Sequence, residues 1–146
     1  NNDLFLTKTG GMFVTAILGH YNTITDEISW VNGGHQPALL RDKNGKFEQV
    51  ESEAPPMGVI QQKNKSLYKI NRTKLNGKRF YAFTDGLSES LDSKGNEIGI
   101  EGSIKIIEKN FNDDVSKQLS NIAKDVEKSS GKNKLSDDLT LIAIGK

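Results

Sequence analysis

Two acidic turns far apart in the chain carry the chemistry this sequence offers. One is Thr84-Asp85-Gly86, which closes the apolar run Phe80-Tyr81-Ala82-Phe83. The other is Ser136-Asp137-Asp138, which opens the C-terminal run Leu139-Thr140-Leu141-Ile142-Ala143-Ile144. Each puts a carboxylate at a strand end. Two such strands lying side by side bring their acids together, and convergent carboxylates suit a hard, oxygen-ligated cation. Taken singly, both turns have a plainer explanation. Asp-Gly is a common turn dipeptide, because glycine accepts positive φ and aspartate bonds its own backbone.

The elements that must position these acids follow from periodicity. Met12 to Gly19, Glu27 to Val31, Ala38 to Leu40, Phe47 to Val50, Leu67 to Ile70 and Arg79 to Phe83 read as strands. Asn22 to Glu27 reads as a hairpin connection, and the Asn44-Gly45 and Asn76-Gly77 pairs signal tight turns. Ala54-Pro55-Pro56-Met57-Gly58 is a rigid loop that a sheet interior excludes. Beyond residue 100 the period changes. Ile104, Ile107 and Phe111 recur at helical spacing, with Ser103 as a candidate cap. Val115, Leu119, Ile122 and Val126 mark one face of a second helix, capped by Asp113 or Asp114. Ser129 to Asn133 ends that helix as a polar loop, and the strongly apolar last run reads as a central strand. Strands, then helices, then a returning strand predict an α+β fold. Trp30 and Phe13 are expected in the core, and His20 on the surface.

Composition narrows the class. A chain of 146 residues suits one domain, 1–146, with its own core. A net charge of +1 with scattered Lys and Arg gives no case for nucleic acid or a membrane surface. No apolar run approaches a membrane span. The absence of cysteine excludes disulfides, thiolate zinc sites and a Cys nucleophile from this chain, and is compatible with the cytoplasm.

Six segments stand in a specific order. They are Met12-Phe13-Val14-Thr15-Ala16, Val31-Asn32-Gly33-Gly34-His35-Gln36-Pro37-Ala38-Leu39-Leu40, Pro56-Met57-Gly58, Phe83-Thr84-Asp85-Gly86-Leu87-Ser88-Glu89, Gly95-Asn96-Glu97-Ile98-Gly99 and Asp137-Asp138-Leu139-Thr140-Leu141. Together they resemble the metal-dependent (PPM, type 2C-like) serine/threonine phosphatases, in the bacterial stage II sporulation protein E and RsbU branch. The resemblance covers nearly the whole chain. Gly34, Ala38 and Ile98 depart from the usual Ala, Pro and Phe, and none of these changes touches an acid.

The resemblance implies an antiparallel β-sandwich flanked by helices, in α-β-β-α layers. It implies two Mn²⁺ or Mg²⁺ ions and a metal-activated water attacking phosphoserine or phosphothreonine. Asp85 and Asp137 match the metal ligands, with Asp138, Gly86, Thr84 and His35 in support. Asp138 stands where relatives carry Asn. Thr84 and Thr140 either orient the acids or serve only strand-end hydrogen bonding. His35 either donates a proton to the leaving alkoxide or, the commoner role, fixes a turn.

The family's N-terminal Asp-x-x-Gly-His-Gly segment has no counterpart here, so the chain reads as the C-terminal portion of a catalytic domain with its N-terminal part absent. Alone it is expected to bind metal weakly, to hydrolyse phosphate esters poorly and to self-associate through exposed sheet edges as a homodimer. The implied partners are a phosphorylated regulatory protein, such as an anti-sigma-factor antagonist, and an upstream sensory or receiver module. The competing reading is a non-catalytic PPM-like binding or regulatory module.

Overall fold

The computed structural model describes residues 1–7, 10–63, 67–130 and 138–145. The chain forms two antiparallel sheets and several helices, an α+β architecture. It divides into two compact units, one of residues 1–38 and 49–76, the other of residues 39–48 and 77–146.

The first unit holds a short helix α1 (Asn2–Thr7) and a three-stranded sheet. Strands β1 (Ala16–Asn22), β2 (Glu27–Gly33) and β5 (Asn71–Lys74) stand in the order β1-β2-β5. The β1–β2 hairpin forms because Asn22 turns the chain with its own side chain, whose Oδ1 accepts the N–H groups of Ile24 and Thr25. Asp26 completes the corner at φ 55°. Its carboxylate accepts the Tyr21 hydroxyl at 2.8 Å and the Asn76 amide at 2.9 Å, which pins the end of β5 to the hairpin. Alternation along β2 buries Ile28, Trp30 and Asn32.

Three expectations fail in this unit. Met12 to Thr15 is not part of the first strand, and Val14 makes only a single bridge to Met57. Phe13 is 58 % exposed rather than buried. The strand expected at Leu67–Ile70 lies further on, in the polar Asn71–Lys74 segment, and Ile70 is exposed. Pairing decides that case: the edge of β2 is met in the register Trp30↔Asn71 to Glu27↔Lys74, and hydrophobicity does not choose an edge strand.

The second unit holds a four-stranded sheet in the order β4-β3-β6-β7, built from β3 (Ala38–Arg41), β4 (Phe47–Val50), β6 (Arg79–Phe83) and β7 (Leu141–Ile144). Between β6 and β7 run α2 (Asp85–Ser88), α3 (Gly99–Lys109) and α4 (Val115–Ser130). Leu39, Tyr81 and Phe83 from the sheet pack with Leu87, Ile107, Ile122 and Val126 from the helices into one buried core. Ile122 and Val126 lie on the helical face that the sequence periodicity marks. Asp114 caps α4, its Oδ1 accepting the Lys117 N–H at 3.1 Å.

Ser103 is not a cap. It sits inside α3, fully buried, and its hydroxyl donates back to the Gly99 carbonyl. Phe111 falls beyond α3, where the Arg41 guanidinium covers its ring at 3.6 Å. The last strand is not central: among the described residues β7 pairs with β6 alone and closes one side of the sheet. Its apolar run fills one face, since Leu141 and Ala143 pack on the core while Ile142 is exposed. The expected loop from Ser129 begins later, because α4 runs to Ser130, and residues 131–133 lie outside the described residues.

Candidate metal centre

Asp85 is the first residue after β6 to leave the sheet, and it opens α2. The β6–β7 register runs from Phe80↔Ile144 to Phe83↔Leu141 and continues one step, with the Thr84 N–H donating to the Thr140 carbonyl at 3.0 Å. This pairing brings Asp85 and Asp138 to one end of the same two strands, although Thr84 and Asp138 stand 54 residues apart in sequence with α2 to α4 between them.

Gly86 marks how tightly the turns meet. A Cβ on Gly86 falls 2.5 Å from the Asp138 carbonyl oxygen and 2.8 Å from its carbon. The residue lies within α2 and its φ is outside the left-handed region, so closeness rather than turn conformation demands glycine there. The Gly86 carbonyl accepts the buried Ser90 hydroxyl at 2.6 Å, which braces the far side of the turn.

The Asp85 side chain is exposed. Its carboxylate has no hydrogen-bond or ion-pair partner among the described residues, while its backbone carbonyl accepts the Glu89 N–H at 2.7 Å. Asp138 is exposed as well, and its backbone carbonyl accepts the Thr84 hydroxyl at 3.0 Å. Asp137 lies outside the described residues. No group of three or more His, Cys, Asp or Glu side chains is gathered to hold a metal ion among the described residues. Among the described residues Asp85 therefore fits a hard cation as one oxygen ligand, not as a full coordination shell.

His35 belongs to the first unit and sits in a built turn. Its N–H donates to Asn32 Oδ1 at 2.8 Å, and the Asn32 amide donates to the Gln36 carbonyl at 2.9 Å. Gly34 holds the turn at φ +67°, where a Cβ falls 2.5 Å from Pro56, and its N–H donates to Ser52 Oγ. The imidazole Nδ1 is 3.0 Å from Thr15 Oγ1. Asn32 and Ser52 are the residues that sequence reasoning missed here. An Asn just before a Gly-Gly pair was the available signal for the first, and Ser52, 18 residues beyond Gly34, gave none.

Protein IcfG of Synechocystis sp. is 24% identical over 113 residues, covering 75% of this chain and 17% of that protein. The SiaA-PP2C domain of Pseudomonas aeruginosa superposes with a TM-score of 0.75 at 13% identity, covering 90% of this chain and 51% of that one. The PP2C phosphatase domain of SpoIIE from Bacillus subtilis, solved with a fragment of its regulatory domain, also gives 0.75, at 17% identity over 97% of this chain and 41% of that one. The chain thus spans about half or less of the length of these three relatives. The family described as Stage II sporulation protein E (SpoIIE) matches residues 1–146, and with the PP2C fold shared by these solved domains, the chain belongs to that phosphatase-domain family.

Proposed function

We propose that this chain is the C-terminal portion, 1–146, of a metal-dependent protein serine/threonine phosphatase domain. One observation carries the reading: β6 and β7 hold the exposed Asp85 carboxylate, without a partner among the described residues, at the strand end where the Asp138 backbone closes on Gly86. Asp85 and Asp137 are the residues that would hold Mn²⁺ or Mg²⁺, two ions in the complete domain. A metal so held lowers the pKa of its water and offsets charge on phosphoryl oxygens. The chain's own part is to present the Asp85 carboxylate from the end of β6. The substrate we assign is phosphoserine or phosphothreonine on a cytoplasmic regulatory protein, such as an anti-sigma-factor antagonist. Family membership across the whole chain supports that reading, and the regulatory domain accompanying a solved relative supports an upstream module. No helix among the described residues is long and apolar enough to cross a membrane.

The test is a manganese-dependent phosphatase assay on the longer parent protein. Asp85→Asn is expected to lower activity by about 100-fold or more, beyond the roughly 10–100-fold typical of groups that only support a ligand. Unchanged activity in a folded Asp85→Asn protein sinks the role given to Asp85. A wild-type parent protein with no turnover favours the non-catalytic binding module.

A further inference from the structure

Thr84 occupies the position before α2 where a threonine ordinarily caps, its side-chain oxygen accepting an N–H from the first helical turn. Here it makes no such bond. The hydroxyl is turned across the sheet instead. It accepts the Thr140 N–H at 2.9 Å and donates to the Asp138 carbonyl at 3.0 Å.

The reason lies in the ladder. Thr84 and Thr140 stand one step past Phe83↔Leu141, and the Thr84 N–H makes its ladder bond to the Thr140 carbonyl. The return bond in an antiparallel pair runs from the Thr140 N–H to the Thr84 carbonyl. That carbonyl is already engaged in the turn into α2, where it accepts the Leu87 N–H at 3.1 Å. The side-chain hydroxyl takes its place. One residue thereby ends β6, starts α2 and grips the β7 entry on both sides of Leu139.

We infer that Thr84 is a positioning residue: its hydroxyl sets the spacing between Asp85 and the backbone at Asp138, and so the geometry in which this end of the strands receives a cation. The inference rests on the metal-dependent reading above. It goes beyond strand-end hydrogen bonding, since a ladder bond alone leaves no call for the second contact to Asp138.

Mn²⁺ binding to the longer parent protein, read by the electron paramagnetic resonance of free Mn²⁺, separates the possibilities. Thr84→Val and Thr84→Ala, which lack the hydroxyl, are expected to weaken Mn²⁺ affinity by roughly 10–100-fold, the range seen when a group that orients a ligand is removed. Thr84→Ser keeps the hydroxyl and is expected to keep the affinity. Wild-type affinity in either folded hydroxyl-free variant overturns the inference. So does loss of affinity in a folded Thr84→Ser protein, which serves as the control should the other two fail to fold. A wild-type protein that binds no Mn²⁺ overturns the metal reading itself, and the Thr84 inference with it.

Discussion

Gly86 has no space for a methyl group, and the obstacle is backbone rather than a flexible side chain. Gly86→Ala must therefore move Asp138 or α2, and forcing atoms into a filled site costs typically about 1–3 kcal/mol. Urea unfolding of the variant is expected to show a loss of that size, and a midpoint at or above that of the wild type contradicts the close approach. The intrinsic preference of Ala over Gly within a helix, about 1 kcal/mol, works in the opposite direction and does not outweigh the clash. At this scale much was legible in the sequence. Asp85 and Gly86 declare themselves as an acid and a glycine at a strand end. The diverted hydroxyl of Thr84 does not, because its acceptor and donor lie 54 and 56 residues away and only the β6–β7 register brings them near.

The helices are fastened by polar side chains as well as by their apolar faces. Arg79, 2 % exposed at the start of β6, donates to the Asn112 and Asp113 carbonyls and to Gln118 Oε1, so the α3–α4 connection is held against the sheet. Arg41 reaches the same region through a bidentate pair with Glu108. On the outer side, both Asp125 oxygens accept from Lys109 Nζ at 2.9 Å and one accepts from Asn110, linking α4 to the end of α3. The Lys109 ammonium, then the Asn110 amide, hold the Asp125 carboxyl below the usual carboxylate range. A lowered folded pKa means the contribution is complete above the unfolded value of about 3.9 and is lost as pH falls through the folded value. The expected difference between wild type and Asp125→Asn is about 0.2–1 kcal/mol at neutral pH, the scale of an exposed pair, and it vanishes in strong acid. Thermal melts of both proteins from neutral pH downward measure it, and a gap that widens on acidification contradicts the assignment. The two long helices were readable from their apolar period. The polar fastening was not, because an Arg in a strand looks like a surface residue until its carbonyl partners are folded around it.

Each unit keeps its apolar side chains differently. The second unit gathers Leu39, Tyr81, Phe83, Leu87, Ile107, Ile122 and Val126 into one cluster closed by helices. In the first, Ile28, Trp30 and Leu75 are buried, yet Met12, Phe13, Leu18, Ile24 and Ile70 all stand exposed. The α+β class was legible from the order of strands and helices, while this unevenness was not, since an apolar residue in an extended segment looks the same whether or not anything covers it. Local opening follows buried contact, so the molecule has a hierarchy in time. Backbone amides of β6 and of the Ile122–Val126 turn of α4 are expected to exchange with deuterium slowest. Those of β1 and β5, at the two sides of a three-stranded sheet, are expected to exchange first, and equal protection across both sheets contradicts this order. The strand end that carries Asp85 is then anchored in the slowest-opening part of the chain, so the close approach of Gly86 to the Asp138 backbone outlasts the breathing of the first unit.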